Sequence, residues 1–129
     1  IKREAIVHSD WTIEGGRKSC TTLLKQTQGN LDAIIVSNSL MAIGVYDVLQ
    51  KENLVIPQDI AVASFDYLDI LQVLNPPLTT FSKTDSIIGE LAAKVLLNTI
   101  NNPKSDDISY KLVTAELKVR ESTMKKAAK

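Results

Sequence analysis

Leu31-Asp-Ala-Ile-Ile-Val-Ser-Asn-Ser-Leu-Met-Ala-Ile-Gly-Val45 carries the pattern from which the rest of the chain can be read. Its first half is a compact apolar run with β-branched residues, suited to a buried strand of a parallel sheet. Asn38 or Ser39 then stands where a helix needs a cap, and Met41, Val45, Val48 and Leu49 follow on one helical face. A buried strand feeding directly into an amphipathic helix is one half of a strand–helix–strand unit.

The unit continues on both sides. Upstream, Ala5-Ile6-Val7-His8 is a short apolar strand run ending at the turn signal Ser9-Asp10. Ile13, Cys20, Leu23 and Leu24 then mark a helix from Thr12 to about Gln26, stopped by Gly29-Asn30. Downstream, Pro57-Gln-Asp is a turn before a second buried strand, Ile60 to Phe65, and Asn75-Pro76-Pro77 breaks the chain before an extended piece, Leu78 to Phe81. Thr84 or Asp85 caps the longest helix, which runs to about Asn101 and ends before Pro103, with Glu90 and Lys94 paired on its wet side. Ile108 to Val119 alternates as one or two strands, and Lys125 to Lys129 forms a frayed basic tail. This alternation with short connections predicts an α/β fold, a mainly parallel sheet flanked by helices.

In such sheets ligands lie beyond the carboxyl ends of the strands. That rule selects the strand-end residues Asp10 and Trp11, Ser37 and Asn38, and Phe65 and Asp66, of which Trp11, Asn38 and Asp66 are the candidates for binding. Each has a plainer role available. Asp66 is equally a helix cap and a ligand acceptor. Trp11 is a pocket wall, an interface anchor or the edge of the core. Asn38 is foremost an N-cap.

Bulk properties narrow the function. The 129 residues carry fifteen basic and fifteen acidic side chains, a formal net charge of zero. A chain neutralising phosphates by itself shows a basic excess, so DNA contact is not expected from these residues. Cys20 stands alone, which excludes an internal disulfide and a cysteine metal pair, and it reads as a small buried helix residue. The single histidine, His8, reads as a core residue in its apolar run. Asp66 and Asp69 are close in sequence, but nothing assigns one as acid and the other as base. Gly15-Gly16 reads as close helix packing. Neither a phosphate loop nor a nucleophile elbow is present, so no catalytic residue, metal or cofactor is expected. No apolar run approaches a membrane span and no signal segment opens the chain. A start at Ile1 rather than Met suggests a piece of something longer.

Four strings carry a family resemblance. Leu31 to Val45 resembles the segment of LacI/GalR (lactose-repressor) regulators in which a strand ends in Asn-Asp and enters a Met-Ala-Leu-Gly helix. Leu54-Val-Ile-Pro-Gln-Asp-Ile-Ala-Val-Ala-Ser-Phe-Asp66 is similar to the family's Pro-x-Asp-Ile-x-Val-x-Gly-Phe-Asp run. Pro76-Pro-Leu-Thr-Thr80 looks like its crossover, and Val119-Arg-Glu-Ser-Thr123 like its closing strand. Their order and spacing are also the family's, and together they span nearly the whole chain. Ser39 in place of aspartate, Ser64 in place of glycine, and Tyr67 are departures.

The resemblance implies the periplasmic-binding-protein-like effector core of a cytoplasmic, homodimeric repressor whose DNA-binding headpiece lies elsewhere. Residues 1–80 would form the C-terminal lobe, 81–107 the crossover and a helix of the other lobe, 108–123 the returning strands and 124–129 a disordered tail. It also implies an effector, a sugar, sugar acid or sugar phosphate, held by Trp11, Asn38, Asp66 and the crossover residue Lys83. The dimer face would fall on Ile43, Tyr46 and Leu74. A secreted solute-binding protein of a sugar transporter is the competing reading; a helix-turn-helix or a signal peptide upstream would separate the two.

Overall fold

The computed structural model describes residues 1–66, 68, 71, 73–82, 85–102 and 113–124. After a 3-10 turn at Arg3–Ala5 the elements are α1 (Ile13–Gln26), β1 (Ala33–Val36), α2 (Ser39–Lys51), β2 (Ala61–Ser64), β3 (Thr79–Ser82), α3 (Asp85–Asn101) and β4 (Glu116–Lys118). A second 3-10 turn, Glu121–Thr123, follows β4. The sheet order is β1-β2-β3-β4. The first three strands are parallel, with Ala33 opposite Ala61 and Ala63 opposite Thr79, and β4 returns antiparallel to β3.

Helices α1 and α2 each begin where a side chain satisfies a free backbone N–H group. Thr12 caps α1 by accepting from the Gly15 amide at 2.9 Å, and Asn38 caps α2 by accepting from the Met41 amide at 2.8 Å. The chain leaves α1 through Gly29 at φ 72°, a left-handed conformation that glycine takes without a Cβ penalty. Along β1 the side chains alternate: Ile34 and Val36 enter the core while Ile35, on the opposite face, is 65% exposed. The core joins those residues to Val62, Met41, Val45, Leu49 and Cys20. Thus α2 packs on one face of the sheet and α1 packs on α2.

The α1–α2 contact depends on two glycines. A Cβ at Gly16 would overlap the Met41 carbonyl oxygen, and one at Gly44 would overlap the Ile13 carbonyl oxygen. Of the Gly15-Gly16 pair, Gly16 serves this close helix packing, while a Cβ at Gly15 would meet the Asp10 and Ser9 side chains of the turn before α1. Beside this seam Arg17 donates to Asp47 at 2.5 Å. The guanidinium, and secondarily Lys51, hold the Asp47 carboxyl below the usual carboxylate range. The stabilisation from this depressed carboxyl is present above the ordinary carboxylate pKa and is lost as pH falls through the lowered one.

Cys20 is fully buried in the same layer, and burial pushes its thiol up to about 11. At pH 8 the thiolate is then about a thousandth of the population. Iodoacetamide should leave Cys20 unmodified in the native protein and label it in urea; equal rates in both would show that the helix layer opens freely.

The closing string acts as a clamp. Ser122 is buried; its Oγ accepts from the Thr79 amide at 2.8 Å and donates to the Val62 carbonyl at 2.6 Å. Arg120 Nη1 reaches the Leu78 carbonyl and Thr80 Oγ1. Ser122→Ala strands a buried amide, a loss of about 2 kcal/mol. Urea unfolding should register it as a lower midpoint with an unchanged slope.

One expectation is corrected. Residues 6–8 join no ladder, so His8 is solvent-exposed and is not a core residue. The long helix does span Asp85–Asn101 with the Lys94–Glu90 pair closed at 2.5 Å, but it makes no extended packing against another described element. Leu96, Leu97 and Ile100 stay exposed along it. Of the returning strands, residues 108–112 lie outside the described residues, as do Lys83, Tyr67, Asp69 and the tail from 125.

Candidate functional site

At the carboxyl end of β1 the chain turns from Ser37 into α2, and at the carboxyl end of β2 it runs through Phe65 to Asp66. Because β1 and β2 are neighbours in register, both exits open on the same edge of the sheet. The turn before α1 meets them there.

Asn38 is 8% exposed and uses both ends of its amide. Its oxygen caps α2, while its nitrogen donates to the Trp11 carbonyl at 3.1 Å. Trp11 needs that tie. Its φ is 67°, unusual for a bulky residue, and such conformations cost on the order of 1–3 kcal/mol and persist only when their surroundings fix them. On its other side, Asp10 accepts from the Thr12 amide and hydroxyl. These bonds hold the Asp10 carboxyl below its ordinary range. With the backbone pinned, the indole is left 62% exposed.

Asp66 is half-buried, and Ser39, the residue after Asn38, donates its hydroxyl to Asp66 Oδ1 at 2.5 Å. Ser64 approaches the same oxygen at 3.5 Å, the outer limit of a hydrogen bond. A continuous chain of contacts thus runs from the Trp11 carbonyl through Asn38 and Ser39 to Asp66. The structure brings the Trp11 backbone and the Asn38 and Asp66 side chains to one rim. Chemically the rim offers an ionisable acceptor and an amide already committed to backbone partners, beside a turn whose Trp11 indole is exposed. The two serines escaped sequence reasoning as site residues, although both stood out as departures from the family strings.

Beyond Asp66, Phe65 and Phe81 stack with ring centroids 5.4 Å apart. They follow from the β2–β3 register, one residue past the Ser64–Thr80 pair.

The residues expected at a dimer face form a second cluster. A groove of about 660 Å³ is lined by Ile43, Tyr46, Gln50, Val55, Val73 and Leu74. Tyr46 lies at its base: the ring is buried and the hydroxyl donates to the Pro76 carbonyl at 2.9 Å. Burial pushes this phenol up to about 12. Ile43 and Leu74 are half-buried, and Val73 is 78% exposed. Another groove, about 590 Å³, lies along β1, the edge strand among the described residues, and is lined by Ile6, Val7, Cys20, Ile34, Val36 and Met41. Among the described residues no cluster of three His, Cys, Asp or Glu side chains could hold a metal. No described helix is long and apolar enough to cross a membrane.

Known proteins place this geometry in context. Residues 3–123 match the family model described as a periplasmic binding protein-like domain. The ribose operon repressor of Haemophilus influenzae is 33% identical over 101 residues, covering 78% of this chain and 30% of the repressor. The HTH-type transcriptional repressor PurR of Glaesserella parasuis is 33% identical over 127 residues, 95% of this chain and 37% of that protein. This chain therefore spans about a third of the length of those relatives. Among solved structures, a LacI family transcriptional regulator from Enterococcus faecium with bound ribose superposes with a TM-score of 0.74 at 25% identity. That match covers 89% of this chain and 41% of the other.

Proposed function

Since this chain belongs to the periplasmic-binding-protein-like domain family, among the LacI-type regulators, we propose that it is the effector-sensing part of a sugar-responsive transcriptional repressor. The observation that carries the reading is the bonded rim linking Trp11, Asn38, Ser39 and Asp66 at the carboxyl edge of β1 and β2. Sheets of this kind hold their ligands at that edge. An ionised Asp66 accepts ligand hydroxyls, and the exposed indole of Trp11 covers the C–H side of a ring.

The remaining parts follow the same logic. Residues 1–80 form one lobe and α3 belongs to the other, a division supported by the exposed Leu96, Leu97 and Ile100. Lys83, between them, contributes to the effector site. With no net charge here, operator DNA is contacted by a headpiece of the regulator beyond these residues, acting in the cytoplasm. Ligand closes the lobes, and a homodimer passes the change to DNA with a coupling of about 1–3 kcal/mol. The groove at Ile43, Tyr46 and Leu74 is the dimer face. Because Tyr46 is buried, its exposed neighbour is the better probe. Val73→Asp should convert dimer to monomer in sedimentation while thermal stability holds; a dimeric variant would place the interface elsewhere.

Thermal-shift measurements on the full-length regulator with ribose, lactose, gluconate and ribose 5-phosphate test the effector class. A sugar that raises the unfolding midpoint with a saturating dose response is the expected result. A flat response to every sugar would remove the reading.

A further inference from the structure

Ser39 has no capping duty, because Asn38 already satisfies the Met41 amide at the start of α2. Its side chain is wholly buried, and its hydroxyl donates to Oδ1 of Asp66, 27 residues away in sequence. Ser64, the last residue of β2 and also buried, directs its hydroxyl to the same oxygen at 3.5 Å. Two hydroxyls from two different elements therefore converge on one carboxylate oxygen. Among the described residues Oδ2 has no hydrogen-bond partner. A carboxylate offers about four lone-pair sites, two on each oxygen. Oδ1 is taken up inside the protein, and the capacity that remains lies on Oδ2.

We infer that Ser39, assisted by Ser64, is a positioning residue that fixes the Asp66 carboxylate so that Oδ2 accepts a hydroxyl of an uncharged sugar. The inference rests on the sugar-binding reading above and narrows it. An oxygen offered with its lone pairs open favours a ligand that brings a proton donor. A ligand bringing a phosphate or carboxylate to Oδ2 would meet like charge.

The test combines binding and side-chain order in the full-length regulator. Ribose and ribose 5-phosphate are titrated calorimetrically into wild type, Ser39→Ala, Asp66→Ala and the double variant. Ser39→Ala should weaken ribose about tenfold, the scale of one oriented hydrogen bond to a charged group. In the Asp66→Ala background, where Ser39 has no carboxylate to hold, the same change should shift affinity less than about twofold, since independent sites add and coupled ones do not. Ribose should bind more tightly than its phosphate. A Ser39→Ala loss that is the same in both backgrounds would overturn the positioning role, and tighter binding of the phosphate would overturn the neutral-ligand class.

A second measurement is independent of any ligand. Side-chain scalar couplings at Asp66 should report one χ1 rotamer in wild type and averaging in both Ser39→Ala and the Ser39→Ala, Ser64→Ala double variant. A single rotamer retained in both variants would overturn the inference. If neither ribose nor its phosphate binds wild type, the effector reading falls on the titrations while the couplings still decide the role of Ser39.

Discussion

Gly44→Ala is expected to lower the stability of this domain by about 3 kcal/mol, more than the loss of any one hydrogen bond described above. Two effects of opposite sign compete. Alanine in a helix interior is favoured over glycine by about 1 kcal/mol, so an open position would gain from the change. At Gly44 the added methyl meets the Ile13 carbonyl oxygen, with the Arg17 amide nitrogen 2.8 Å and the Gly16 carbonyl carbon 3.1 Å away. All three are backbone atoms of α1 and cannot swing aside. Relief requires α1 to move off α2, which opens the packing around Cys20 and Leu49 and stretches the Arg17–Asp47 bond. In a close-packed interior such a displacement is felt over many contacts. Calorimetry should show the unfolding midpoint falling by about 10 °C. An unchanged or higher midpoint would mean that the helices have room, and the tight seam would be refuted.

Asp66→Asn is expected to carry the largest functional effect. The amide keeps an oxygen for the Ser39 hydroxyl and is nearly isosteric, so the fold should survive. What goes is the ionised acceptor. Hydrogen bonds to a charged group contribute about 1.5–3 kcal/mol, which converts to roughly 10- to 100-fold in affinity. In the full-length regulator, effector titration should weaken by that range and the response of operator binding to effector should disappear. Operator binding without effector should persist. Stability sets the control: thermal unfolding within about 2 °C of wild type identifies a binding loss rather than a folding loss. Wild-type effector affinity in this variant would remove Asp66 from the site.

Much of the architecture is legible because the signals are local and periodic. Ala33–Val36 reads as a buried strand from its own composition, and Asn38 announces the start of α2 because a capping amide acts within three residues. The convergence of Asn38 and Asp66 at one edge follows from a topological rule about parallel strands, which needs only their order. Other features depend on partners that periodicity does not specify. The hydroxyl of Ser39 meets Asp66 only after β1 and β2 pair, so the reason for two serines at these places is invisible in the strings alone. His8 shows the reverse error: an apolar run suggested burial, but a run that joins no ladder is not enclosed between layers. Within the Ile43–Leu74 groove, the Tyr46 ring is buried and bonded to Pro76, a detail that helical spacing alone does not specify. A helical apolar face does not reveal whether its outermost ring turns inward or outward.

A crystal structure of the full-length regulator soaked with ribose would examine the effector site most directly. A sugar hydroxyl within about 3 Å of the Asp66 carboxylate, with the ring's C–H face against Trp11, is the expected outcome. Ribose seated instead along β1 or in the Ile43–Leu74 groove, with Asp66 untouched, would contradict it.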